Sequence, residues 1–157
     1  MVYIRTKTIK GKKYGYLVEC KYRKRGSKGP KQCVKAYIGR VHHPENMNKV
    51  DFYHFSGIKQ DEVSRHVKEN PNHEIIEKLV EWELLKHGFD KDKFRDNVVL
   101  KINEGHLCKH SIEQIKDFKP KGNDDMANGR QMAKLFVHAG IDVPHELFVE
   151  YFKKISR

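Results

Sequence analysis

Cysteine is scarce in this chain of 157 residues: Cys20, Cys33 and Cys108 are the only three. So small and odd a number builds no disulfide scaffold and fits a reducing compartment better than an extracellular one. Long apolar runs are missing as well. None approaches the roughly 18 residues that a membrane span needs, and the opening Met1-Val2-Tyr3-Ile4-Arg5 lacks the apolar stretch of a secretory signal. No Gly-rich phosphate loop, nucleophile elbow or His-Glu-x-x-His pair occurs. Ligand-type residues gather at His106-Leu107-Cys108-Lys109-His110, but no Cys-x₂₋₄-Cys spacing accompanies them. The expectation is a soluble, cytoplasmic protein that is not an enzyme, touches no membrane and carries no catalytic residue, cofactor or metal.

Acidic residues are almost absent from the first quarter. Residues 1–40 hold 13 Lys and Arg against the single acid Glu19, a net +12, whereas the other 117 residues hold 19 bases and 20 acids, a net −1. The whole excess of positive charge therefore sits at one end of the chain. That asymmetry is the electrostatic footprint of a protein that meets a polyanion.

The same segment reads as folded rather than as a loose basic arm. Val2 to Ile9 alternates β-branched or aromatic residues with basic ones; Lys10-Gly11-Lys12-Lys13 follows as a turn. Tyr14 to Lys24 is again strand-like, Arg25-Gly26-Ser27-Lys28-Gly29-Pro30 is a second loop, and Lys31 to Val41 a third strand. A second loop centred on Gly26-Ser27 would set Cys20 opposite Cys33, Val18 opposite Lys35 and Tyr16 opposite Tyr37. A two-residue first loop would give a register such as Thr6 opposite Leu17. Side chains alternate between faces along a strand. One face then carries Val2, Ile4, Thr6, Leu17, Glu19, Val34, Ala36 and Ile38. The other carries Tyr3, Arg5, Lys7, Tyr16, Val18, Cys20, Tyr22, Cys33, Lys35 and Tyr37. Basic residues interleaved with tyrosines suit phosphates and bases. The nucleic-acid-binding candidates are Arg5, Lys7, Lys12, Tyr16, Tyr22, Arg23, Lys24, Arg25, Lys28, Lys31, Lys35 and Tyr37, with Lys24, Lys28 and Lys31 clamping phosphates from the second loop.

Tyr16-Leu17-Val18-Glu19-Cys20, Tyr22-Arg23, the Gly/Lys turn, Gln32, Val34 and Ile38-Gly39-Arg40-Val41 resemble the N-terminal segment of DDE-type insertion-sequence transposases. Those proteins open with a Tyr-Leu-Val-Glu-Ser-like strand, a Gly-Lys turn and a Gln-x-Val strand ending in Leu-Gly. The layout is also similar to the three-stranded DNA-binding modules of some phage-type integrases. The match covers about the first 41 residues and implies a DNA-binding module linked to a mobile element. It does not extend to the catalysis of such enzymes, which needs three distant carboxylates on a metal pair. The remaining chain is too short for that domain and mostly helical in pattern, and Asp124-Asp125 reads as a helix start.

Residues 42–58 read as a connection anchored by Phe52, Tyr53 and Phe55. Gln60 to Glu69 suggests a short helix. Asn72 is the expected cap of a stronger one, in which Ile75, Ile76, Leu79, Val80, Trp82, Glu83 and Lys86 give an apolar stripe beside a charged face, with Gly88 at its end. Val98 to Ile102 is a strand or buried run, and Ser111 the expected cap of a helix carrying Ile112, Ile115 and Phe118. Lys119 to Asn123 links to a helical hairpin. Asp124 to His138, with Met126, Met132, Leu135 and Phe136, stops at Gly140, and Pro144 opens a second helix with Leu147, Phe148, Tyr151, Phe152 and Ile155. Glu146 and Glu150 on that second helix would repel phosphates, so packing or homodimer formation fits it better than DNA reading. The expected fold class is α+β: a basic three-stranded antiparallel sheet (1–41), a connection (42–58) and a mostly helical domain (59–157). The expected function is binding of double-stranded DNA. An RNA- or ribosome-associated role and a protein–protein adaptor using the C-terminal helices are the alternatives.

Overall fold

The computed structural model describes residues 2–22, 29–46 and 48–157. The fold is α+β. Strands β1 (Val2–Ile9), β2 (Lys12–Lys21) and β3 (Lys31–His42) form the expected antiparallel meander, and β4 (Val98–Ile102) and β5 (Gly105–Leu107) extend it to a five-stranded sheet in the order β1-β2-β3-β4-β5. β4 runs parallel to β3, with Arg40 opposite Val98 and His42 opposite Leu100, while β5 returns antiparallel to β4. Parallel neighbours need a long crossover. It is supplied by α1 (Phe52–Ser56), α2 (Val63–Glu69) and α3 (Asn72–Lys86), followed after β5 by α4 (Lys109–Lys116), α5 (Asp125–Ala139) and α6 (His145–Ile155). The sheet thus reaches across the expected division of the chain at residues 41 and 58.

The first hairpin turns on Lys10 and Gly11, both at positive φ (51° and 77°). Two left-handed residues match the twist of the flanking strands, and glycine adopts that conformation without a Cβ clash. This tight turn sets Ile9 opposite Lys12 and Ile4 opposite Leu17, so Thr6 faces Gly15 rather than Leu17. The displacement from the expected register is two residues, which leaves every side chain on its expected face.

Between β2 and β3 the expected register holds only at Tyr16–Tyr37 and Leu17–Ala36. Two bulges in β3, with Lys35 and Ile38 as the extra residues, shift the pairing on either side. Cys20 lies opposite Gln32, and Cys33 opposite Glu19, so the two cysteines are not cross-strand neighbours; all three thiols are free. Val34 is carried to the face of Val18 and is exposed. At Gly39 (φ 136°) an added Cβ would lie 2.0 Å from the Asn97 carbonyl oxygen, and Arg40 N–H donates to the same oxygen at 3.2 Å. Only glycine permits so close an approach of the β4 entry to β3.

The main core lies among the helices, β4 and β5, around Ile76, Leu79, Leu100, Leu107, Ile115, Met132 and Leu147. A smaller cluster of Val41, Val99 and Cys108, with Ile4 and Ile38 against it, joins the N-terminal strands to that body. The connection contains α1, capped by Asp51, whose carboxylate accepts from His54 N–H at 3.1 Å. Phe52 meets Trp82 edge-on at 5.3 Å, and the Trp82 indole N–H donates to Val50 O at 2.8 Å. α3 begins at Asn72 with Pro71 at its cap position, so Asn72 is not the cap. α4 is capped by Cys108. Ser111 sits three residues into the first turn, where its hydroxyl accepts from Cys108 N–H at 3.1 Å and donates to His106 O at 2.8 Å.

Asp124 caps α5 through Ala127 N–H at 3.0 Å and Gly140 ends it. Met126, within α5 as expected, is exposed. Phe136 of α5 packs on Phe148 and Tyr151 of α6, and Lys154 of α6 donates to Val67 O and Asn70 O at the end of α2. Glu83 is wholly buried with its carboxylate satisfied: it accepts from Lys86 Nζ at 3.0 Å and from Asp142 N–H at 2.7 Å. The Lys86 ammonium also lies 3.8 Å from the centre of the Trp82 ring. Among the described residues, no helix is long and apolar enough to cross a membrane.

Candidate nucleic-acid interface

The two faces of the β1–β3 ribbon have different neighbours. Ile4 and Ile38 turn toward Val41, Val99 and Cys108, and Val2 and Ile4 line a cleft of about 230 Å³ with His106, His110 and Gln114. The register places Tyr3, Arg5 and Lys7 of β1 and Lys12, Tyr14, Tyr16 and Val18 of β2 on the opposite face. β3 adds Gln32 opposite Cys20, Val34 opposite Val18, Tyr37 opposite Tyr16 and Arg40 opposite Tyr14.

Three tyrosines form the middle of this second face. The Tyr16 and Tyr37 rings are 5.5 Å apart and tilted by 57°, and Tyr14 and Tyr37 are 6.3 Å apart at 46°. Such tilted contacts suit the aromatic quadrupole and hold the rings while leaving Tyr37 55% exposed. The Lys7 ammonium lies 5.3 Å above the Tyr16 ring, a cation–π contact. Arg5 Nη1 donates to Gln32 Oε1 at 2.7 Å. At the far end the Cys20 thiol donates to the Tyr3 hydroxyl at 3.9 Å. Burial, reinforced by that thiol, pushes the Tyr3 hydroxyl above the ordinary phenol range.

Arg5, Lys7, Lys12 and Arg40 are exposed, and among the described residues no carboxylate lies within ion-pair distance of them. Their charge is therefore directed at solvent. Lys35 differs from the expectation that placed it here. As a bulge residue it leaves the tyrosine face and meets Glu19, with Nζ 2.8 Å from Oε2. The contact holds the Glu19 carboxyl below its usual range, chiefly through the Lys35 hydrogen bond, and raises Lys35 in turn. Lys31 opens β3 opposite Lys21, a strand position rather than a loop one, on the Glu19 side of the ribbon. Tyr22 lies just past β2 and is 94% exposed. Arg23, Lys24, Arg25 and Lys28 lie outside the described residues.

Tyr14, Arg40 and Gln32 of this face were not among the sequence candidates. Tyr14 was legible, being two positions from Tyr16 on the same strand. Arg40 was not, because uniform alternation sets it on the other side and only the bulge at Ile38 turns it over. Gln32 enters through its bond to Arg5. Among the described residues no group of three or more histidines, cysteines and carboxylates is arranged to hold a metal ion; Cys108 is buried at the α4 cap. No protein-family model, curated protein or solved structure matches this chain.

Proposed function

We propose that this protein binds double-stranded DNA through the tyrosine face of its β1–β3 ribbon. The observation that carries the reading is the gathering of Arg5, Lys7, Lys12 and Arg40 with Tyr14, Tyr16 and Tyr37 on one solvent-facing surface, with no carboxylate partner among the described residues. A β-ribbon fits the width of the DNA major groove. Cations at its margins hold phosphates, and the tyrosines contact sugars and base edges. The resemblance of the first 41 residues to transposase N-terminal segments supports the same reading and suggests a link to a mobile element. The helical part, which carries no excess of positive charge, supports the ribbon or joins two copies.

Phosphate neutralisation releases counterions, so about five contacts give a log–log slope of affinity against salt near −4 to −5. A mobility-shift series over salt with the full chain tests this; no shift at low salt, or a flat dependence, overturns it. The exposure of the Tyr37 ring favours one second reading, in which unpaired RNA bases stack on the tyrosines. Competition among duplex DNA, duplex RNA and single strands separates the two.

A further inference from the structure

We propose that Arg5 and Gln32 form one base-reading unit that selects guanine, a claim that rests on the duplex-DNA reading and assigns its specificity. The 2.7 Å bond from Arg5 Nη1 to Gln32 Oε1 joins β1 to β3 across the intervening strand. Arg5 lies opposite Tyr16 and Gln32 opposite Cys20, so the bond passes over Val18, midway between them on the same face. Val18 is 1% exposed on that solvent-facing surface, whereas its partner Val34 is 56% exposed. Both polar side chains are thus laid across the sheet and held there, instead of swinging free as surface Arg and Gln do.

The bond fixes more than position. A guanidinium carries five N–H donors in a planar fork, and this contact uses one. A pair of parallel donors remains for O6 and N7 of guanine, the commonest specific contact in the major groove. With its carbonyl oxygen engaged by Arg5, the Gln32 amide turns its NH₂ away from the guanidinium. Gln32 then directs its NH₂ donors to the adjacent base pair, where guanine O6 or N7, adenine N7 and thymine O4 accept. The unit reads a guanine next to an acceptor edge and disfavours adenine N6 or cytosine N4 at those places. Lys7, Lys12 and Arg40, lacking such a partner among the described residues, supply phosphate contacts that carry no sequence information.

Selection from a randomised duplex library by the full chain, followed by sequencing, tests the assignment alongside Arg5→Lys and Gln32→Ala, with melting curves to establish that both variants fold. The wild type is expected to enrich guanine at one position. Arg5→Lys keeps the charge and so the salt slope, but loses about tenfold or more of the guanine preference. Gln32→Ala keeps the slope and relaxes the adjacent position. A purely structural roof over Val18 would lower the melting temperature and leave the selected sequence unchanged. A wild type that enriches no base, or variants that return the wild-type sequence, overturns the base-reading unit while duplex binding stands. Absence of duplex binding at low salt overturns the DNA reading itself and the base-reading unit with it.

Discussion

Glu83 shows what a single side chain does in this fold. Its carboxylate is sealed from water and gathers Lys86 of α3 and the Asp142 N–H of the α5–α6 loop. Asn103 Nδ2 lies 3.5 Å from Glu83 Oε2 and also donates to Gly140 O at 2.6 Å, so the β4–β5 turn is tied to the same point. Removing one partner of a buried charged network leaves the others desolvated and unpaired, at a cost of about 3–5 kcal/mol. Glu83→Ala is therefore expected to lower unfolding free energy by about that amount in urea titration, with Glu83→Gln losing less because it retains an acceptor for Asp142 N–H. A three- or four-residue periodicity puts Glu83 on the inner stripe of α3 near Lys86 without revealing its distant partners Asn103 and Asp142, 20 and 59 positions away. On the ribbon, alternation identified Arg5, Lys7, Tyr16 and Tyr37 as one set. It misplaced Lys35, whose neighbour Glu19 only the bulge brings within reach.

At the scale of elements, the first hairpin and β3 obey different rules. The Lys10-Gly11 turn is local, and a β-branched or long side chain in the left-handed region costs roughly 1–2 kcal/mol. Asparagine is better tolerated there, and Asn-Gly is the preferred pair of such turns. Lys10→Asn is expected to stabilise the chain by about 0.5–1 kcal/mol, read as a raised midpoint in chemical denaturation. β3 depends on distant sequence. Its end is held by pairing to β4 and by Val41 and Ile38 against Val99 and Cys108. A fragment of residues 1–45 lacks β4, Val99 and Cys108, and a meander without a packed face is marginal. Its circular dichroism is expected to show little stable sheet, in contrast to the full chain. Gly39→Ala should act on the same junction: the Asn97 carbonyl occupies the place of the Cβ, so β3 and the β4 entry must separate, and a lower melting temperature is the expected outcome.

The whole molecule is expected to lose stability in mild acid. His66, His106 and His110 are each held below the ordinary histidine range, burial being the chief cause in all three. In the unfolded chain these imidazoles take up protons near pH 6.5; in the folded protein they do so only at lower pH. Protons are therefore bound preferentially by the unfolded state as pH falls below about 6.5, and stability declines there. Above that pH all three are neutral in both states and the contribution is intact. Denaturation midpoints measured from pH 7.5 to 5 should fall, and His106→Gln should flatten part of the fall.

Composition and local pattern by themselves determined the α+β class, the three N-terminal strands and the paired C-terminal helices, and narrowed Val98–Ile102 to a strand or buried run. They also located the positive charge, since amphipathic periods, turn residues and charge counts are properties of neighbouring residues. The tertiary structure alone decided that β4 and β5 complete the N-terminal sheet, that β3 bulges twice, and that Arg40 and Gln32 join the tyrosine face while Lys35 leaves it. A bulge inverts the facing of every residue beyond it, and whether one forms depends on what the strand must pack against. Here that partner is Asn97 and the Val99–Cys108 cluster, more than 50 residues further along the chain.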